Sequence, residues 1–213
     1  MKKDLQEQVL MIESSKINDA VMEEIIPFIQ EGVTEKQLAK KLDELFFNHH
    51  STCYGAIVAF GKNAADPHHE NDDTLLRKGD CVLIDMGCVY KGYCSDMTRT
   101  FFYEGILEEE IKAYEIVKKA NEAAEAMIKP GVKLSDIDKC ARKVISDEGY
   151  GKYFTHRLGH FIGRDVHEYG DVSSVNEMEV EEGMIFSIEP GIYLEGNFGV
   201  RVEDLVMVTK DGC

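Results

Sequence analysis

Acidic residues recur in this chain at positions where an acid is costly. Asp85 closes the apolar run Cys81-Val82-Leu83-Ile84, and Asp96 follows Cys94-Ser95 shortly afterwards. Glu189 ends Met184-Ile185-Phe186-Ser187-Ile188, and Glu203 stands just after Val200-Arg201-Val202. Strand side chains alternate between faces, so an acid inside an apolar strand is often aimed at an interior. With Tyr90-Lys91 as the turn, Asp85 and Asp96 are expected directly opposite one another across a hairpin, and Glu189 and Glu203 bracket a second hairpin turning near Gly196-Asn197. Four carboxylates would then converge, which is prohibitive unless something cationic sits among them. Basic side chains or metal ions could serve. Arg201, two residues before Glu203 and on the same strand face, can pair with one carboxylate but not four. Two divalent cations would balance the charge, and hard oxygen donors suit manganese, cobalt, zinc or iron(II).

Histidines complete the set. His160 lies between Gly159 and Gly163 in Thr155-His156-Arg157-Leu158-Gly159-His160-Phe161-Ile162-Gly163, with His167-Glu168 following. The glycines permit close backbone approach, and a neutral imidazole is a suitable ligand beside carboxylates. Alone, His160 says little, because histidines are commonly just packed. A further cluster, Asn63-Ala64-Ala65-Asp66-Pro67-His68-His69, puts two histidines in a polar loop before the first hairpin.

The elements that must position these groups occur twice. Amphipathic runs over roughly 5–30 and 108–129 end at Gly32 and at Pro130-Gly131. A second helix follows each. Thr34-Glu35-Lys36-Gln37 reads as a capping box, and Ser135-Asp136-Ile137-Asp138 occupies a comparable place with a weaker acid at the third position. A β-rich hairpin segment follows each helix pair. Duplication is therefore expected, with halves of about 1–105 and 106–213 forming one domain over 1–213.

Composition narrows the class. The 213 residues carry 24 Lys+Arg against 40 Asp+Glu, a net charge of −16, with 44% hydrophobic content. This suits a folded domain and disfavours binding nucleic acid or anionic membrane through a basic field. No apolar run approaches a membrane span, and the start Met1-Lys2-Lys3-Asp4 is too polar for a secretory signal. Cys53, Cys81, Cys88, Cys94, Cys140 and Cys213 show no CxxC spacing, so reduced cysteines in a cytoplasmic protein are expected.

At these residues the chain resembles the pita-bread metallopeptidases, within them the Xaa-Pro aminopeptidase and Xaa-Pro dipeptidase (prolidase) group. The resemblance rests on Ile57-Val58-Ala59-Phe60-Gly61-Lys62-Asn63-Ala64-Ala65 with Pro67-His68, and on Ile84-Asp85-Met86-Gly87 through Ser95-Asp96-Met97-Thr98-Arg99-Thr100-Phe101. It continues through Gly159-His160, His167-Glu168, Ile188-Glu189-Pro190-Gly191-Ile192-Tyr193 and Gly199-Val200-Arg201-Val202-Glu203-Asp204. It implies an α+β pita-bread (creatinase/aminopeptidase) fold, with duplicated helix-pair and β-hairpin halves around a curved antiparallel sheet. It also implies two divalent metal ions, manganese ahead of cobalt, zinc or iron. Asp85 would hold one metal, His160 and Glu189 the other, with Asp96 and Glu203 bridging. A metal-bridging hydroxide would hydrolyse the Xaa-Pro bond of short peptides with proline second, Glu189 accepting the proton from the water. His68 and His167 would contact substrate, His167 stabilising the oxyanion, with His156 in the same pocket. Arg201 and Thr98 would sit behind the ligands and orient a carboxylate. The prolyl bond has no N–H, so an apolar slot walled by Tyr193 and Phe161 is expected.

Departures from the group are also expected to matter. Its members usually carry an additional N-terminal domain, expected to be absent here because the first amphipathic run begins almost at Met1; the chain would then be an isolated catalytic domain or an excised piece. Phe161 and Arg164 stand where smaller or apolar residues are common, and would narrow the pocket or move its charge. Methionine aminopeptidase, with the same fold and ligands, is the alternative enzyme. An inactive pita-bread binding module is the alternative of another class. No nucleic-acid or membrane partner is expected, and a homodimer is allowed.

Overall fold

The computed structural model describes residues 2–213. Two long helices open the chain, α1 (Leu5–Ile25) and α2 (Glu35–Asn48). Thr34 caps α2 and Gln37 returns the bond, so the expected capping box is present; Asp4 and Glu7 do the same for α1. Such caps satisfy amide groups that no helical carbonyl can reach, each worth about 1 kcal/mol. α2 buries Leu38, Leu42, Leu45 and Phe46, one face at helical spacing.

The first β section follows: β1 (Thr52–Cys53), β2 (Ile57–Phe60), β3 (Cys81–Met86), β4 (Cys88–Tyr90), β5 (Tyr93–Cys94) and β6 (Met97–Phe102). Then come α3 (Glu108–Met127) and α4 (Leu134–Asp147). Lys133 precedes α4 and makes no side-chain cap. Ser135 is therefore not the capping residue its position suggested: the helix begins two residues earlier, at Leu134, and the Ser135 hydroxyl donates to Glu177 instead. The chain ends with β7 (Gly159–His160), β8 (Asp171–Val172), β9 (Ile185–Ile188), β10 (Gly191–Leu194), β11 (Phe198–Arg201) and β12 (Asp204–Met207). The strand pairs within these sheets are antiparallel, as the α+β expectation required.

Each long hairpin is interrupted at its acids. In the first, β3 pairs with β6 and β4 with β5, leaving Gly87 opposite the gap that holds Ser95 and Asp96. In the second, β9 pairs with β12 and β10 with β11, so Glu189 faces Glu203 across the break. Carbonyls freed at such a break need donors. Buried asparagines on the first helix of each pair supply them: Asn18 donates to the Met86 carbonyl at 3.0 Å and Asn121 to the Ile188 carbonyl at 3.0 Å.

The register of the first hairpin differs from expectation. Tyr90 pairs with Tyr93, so the turn is Lys91-Gly92, both with positive φ (49° and 83°), and Asp85 faces Thr98 rather than Asp96. Glycine at the second turn position makes this mirror-type turn cheap and matches strand twist. The slip is two residues, so Asp85 and Asp96 still share a face, as diagonal neighbours.

The two larger of three apolar clusters among the described residues flank the sheet system. One packs α1 and α2 against β2 and β3 through Val21, Ile25, Phe46, Val58 and Ile84. The larger packs α3 and α4 against the second hairpin through Val117, Ile137, Phe186, Ile188 and Val200. Between them β6 meets the second hairpin: the Glu203 amide donates to the Thr98 carbonyl at 3.1 Å, and Thr100 bonds the Arg201 backbone.

Candidate functional site

The seam between the hairpins opens into a cavity of about 570 Å³. Asp85, Asp96, His160, Glu189 and Glu203 all line it, together with His68, His156, His167 and Arg201. β3 supplies Asp85, the two breaks supply Asp96, Glu189 and Glu203, and β7 supplies His160. His160 Nε2 lies 3.5 Å from Asp96, 3.6 Å from Glu189 and 4.0 Å from Glu203. Its other nitrogen, Nδ1, faces the Phe161 carbonyl at 3.3 Å, which turns Nε2 toward the acids.

His160 reaches this place because β7 runs against β9. A Cβ on Gly159 would lie 1.9 Å from the Ser187 carbonyl, so only glycine allows the approach. Ser187 then works on both sides, accepting from the His160 amide at 3.0 Å and donating to Glu189 at 3.2 Å.

The electrostatics follow from burial. Asp96 and Glu203 are held far above the usual carboxyl range, first by desolvation and then by neighbouring carboxylates, Asp85 prominent among them. Glu189 is pushed up to about 8, by burial first and Glu203 second. Arg201, 3% exposed, offers a strong local compensation. It donates to Asp85 at 2.5 Å, to the Thr98 hydroxyl at 3.0 Å and to the Tyr193 hydroxyl at 3.1 Å, while Thr98 donates to Glu203 at 2.6 Å. Arg201 and Thr98 thus bear on carboxylates of the cavity. Several acids that burial keeps from ionising, grouped around one imidazole nitrogen, form a donor set suited to divalent cations. Asp96, His160 and Glu203 bring ligand atoms within 4.8 Å of one another.

The other histidines are distributed around this centre. The His167 ring lies 4.2 Å from that of His160, and burial, then His160, lowers its pKa. His156 accepts or donates at Tyr193 Oη (2.8 Å), and burial lowers its pKa to about 4, so it is neutral near pH 7. Its segment is held from behind by Arg142, which donates to the Phe154 and His156 carbonyls and pairs with buried Asp138.

Three sequence expectations need correction. Phe161 is fully buried and packs on Phe186, so it is core and no wall of the cavity. The Arg164 guanidinium lies over the Tyr93 ring, 5.6 Å from its centre, and neither residue narrows the cavity. Tyr193 stands one layer back, behind His156 and Arg201. Sequence reasoning missed Tyr54, Ile57 and Val166 in the lining. Tyr54 donates to the Ser95 carbonyl at 2.7 Å, over Gly87, where a Cβ would strike its hydroxyl. No spacing rule points to it.

A match to metallopeptidase family M24 runs over residues 9–210. The chain belongs to this family. An uncharacterized peptidase of Staphylococcus saprophyticus is 42% identical over 199 residues, covering 92% of this chain and 57% of that protein. Among solved structures, the prolidase from Pyrococcus furiosus superposes with a TM-score of 0.97 at 36% identity, over 99% of this chain and 63% of that one. A dipeptidase from Pyrococcus horikoshii gives 0.95 at 44% identity, over 97% and 58%. The M24 chain therefore spans little more than half the length of the relatives it matches, and its fold is the pita-bread fold of the prolidases. No described helix is long and apolar enough to cross a membrane.

Proposed function

We propose that this M24 chain carries the hydrolytic centre of an enzyme that cleaves the Xaa-Pro bond at the N-terminus of short peptides with the help of two divalent cations. The observation that carries the reading is the convergence of Asp85, Asp96, Glu189, Glu203 and His160 on one cavity at the seam of the hairpins. Asp85, Asp96, His160, Glu189 and Glu203 would hold the cations, with Asp96 and Glu203 shared between them; four carboxylates balance two divalent charges. When bound, the cations supply the Lewis acidity that ionises a water near neutral pH and polarises the scissile carbonyl. Manganese is our first choice of metal. The prolidase among the structural neighbours supports the proline preference.

The side chains have distinct tasks in this scheme. Glu189 takes a proton from the attacking water and delivers it to the departing prolyl nitrogen. His167, beside His160, donates a hydrogen bond to the oxygen that gains charge. His68 and His156 hold the peptide, and Tyr193 fixes the His156 ring through its hydroxyl. Ile57, Pro67 and Val166 give the cavity apolar surface for a proline ring that has no N–H to satisfy. Six free thiols suit a reducing compartment, and we extend the proposal to a cytoplasmic enzyme.

Product analysis tests the scheme. The Mn-loaded protein is offered Ala-Pro, Ala-Pro-Ala and Met-Ala-Ser together, and alanine should appear from the proline peptides alone. Release of methionine instead would replace the proline reading by methionine aminopeptidase. Asp96→Ala should abolish turnover; full activity in that variant, with two metals bound, would remove Asp96 from the ligand set.

A further inference from the structure

Glu35, the first residue of α2, is fully buried and has no part in the cavity. Its Oε1 accepts from the Phe60 amide at 2.8 Å and Asn63 Nδ2 at 2.9 Å. Its Oε2 accepts from His69 Nε2 at 2.6 Å and the Asp72 amide at 3.0 Å. Glu35, His69 and Asp72 bring ligand atoms together as a metal site would. Yet four donors already fill the carboxylate's lone-pair directions, and the positive end of α2 adds to them. The group is saturated, so it serves as a knot in the chain.

The knot gathers one segment. Its donors come from residues 60, 63, 69 and 72, and between them lie Pro67 and His68, both on the cavity wall. Within the loop, the His68 amide donates to Asp66 Oδ1 at 3.0 Å and the His69 amide to the Asp66 carbonyl at 3.2 Å. On the cavity side, the Pro67 carbonyl accepts from Arg201 at 3.4 Å. The two adjacent histidines thus divide the work: His68 faces the cavity and His69 fastens the loop to the buried acid.

We propose that Glu35 and His69 are a positioning pair that sets His68 in the active site. This rests on the reading of His68 as a substrate contact. Without the His69 bond, the loop keeps its Asp66 turn but loses its anchor on the side away from the cavity. A displacement of about 1 Å at a reacting group can cost on the order of 100-fold in rate.

The test compares kcat/KM on Ala-Pro for wild type, His69→Ala, His69→Gln, Glu35→Gln, His68→Ala and the double variant His68→Ala/His69→Ala. Bound manganese and the thermal midpoint are measured for each. His69→Ala is expected to lose about 30-fold, mainly in kcat, at unchanged metal content. Glutamine, which can donate from a similar position, should restore most of that. The double variant should be no slower than His68→Ala, because His69 acts through His68. Folded His69→Ala with wild-type turnover overturns the proposal, as does a double variant whose loss is the product of the single losses. Wild-type turnover in His68→Ala would remove the substrate role of His68 and the clamp with it. An impaired His68→Ala beside an unimpaired His69→Ala removes the clamp alone. Glu35→Gln sets an amide NH2 against two of the four donors and should lower the thermal midpoint, so His69→Ala, at the partly exposed end of the pair, decides the matter.

Discussion

Replacing Arg201 by glutamine should destabilise the metal-free protein more than any other single change at the cavity. Arg201 is 3% exposed and joins Asp85, Thr98, Tyr193 and the Pro67 carbonyl. Breaking a buried ion pair from one side costs about 3–5 kcal/mol, because the remaining charge is left uncompensated. Asp85 is 22% exposed and water recovers part of that, so the lower end, about 3 kcal/mol, applies. Unfolding entropy of about 2.1 cal/mol/K per residue gives roughly 0.45 kcal/mol/K for a chain of this length, and hence a fall of about 7 °C in Tm. A divalent cation beside Asp85 would take over part of the compensation, so the fall should shrink by about half in saturating manganese. Arg201→Lys keeps the charge but loses the fork of bonds, and should lie between. Thermal unfolding followed by circular dichroism, with chelator and with manganese, measures all of this. A metal-free fall below about 2 °C, or one that manganese does not change, would refute the reasoning.

Two further outcomes follow from the same geometry. Glu189, raised from 4.5 to about 8 in the fold, is protonated in both states at low pH and ionises at a cost only when folded. The stability it contributes is therefore present below about 4.5 and lost as pH rises through about 8, a swing of about 5 kcal/mol. Metal-free wild type should lose stability relative to Glu189→Gln across that window, read from denaturant midpoints; a flat difference would contradict the assignment. Gly159→Ala sets a methyl group 1.9 Å from the Ser187 carbonyl, and should cost about 3 kcal/mol and weaken manganese binding, since β7 must move and carry His160 with it. Unchanged binding by calorimetry would show that β7 has room to spare.

The acids, the hairpins and the helix pairs were legible because each is a local pattern. Asp85 and Glu189 stand out as charges in runs of Val, Ile, Leu and Phe, and the fold places them in one cavity with Asp96, Glu203 and His160. The register of the first hairpin differs by two residues because polarity alone allows a turn at Tyr90-Lys91, whereas Gly92, which takes positive φ cheaply, favours Lys91-Gly92. Phe161 does not wall the cavity because it is adjacent to His160: successive residues of an extended segment face opposite ways, so the residue beside a cavity-facing imidazole goes to the core. Asn18, Asn121, Tyr54 and the Glu35–His69 pair left no trace, since each acts on a backbone or side chain far away in sequence.

The backbone bond between Glu203 and Thr98 joins residues separated by nearly half the chain. Contacts of such separation form late, after the loops between them have closed. While the first hairpin folds alone, Asp85 and Asp96 have water around them and neither Glu189 nor Glu203 nearby. The repulsion between this pair and Glu189 and Glu203 is thus deferred to the final docking of one hairpin on the other. During synthesis the ribosome releases the first pair of acids long before the second, so a nascent chain is spared the crowding that the finished protein must offset.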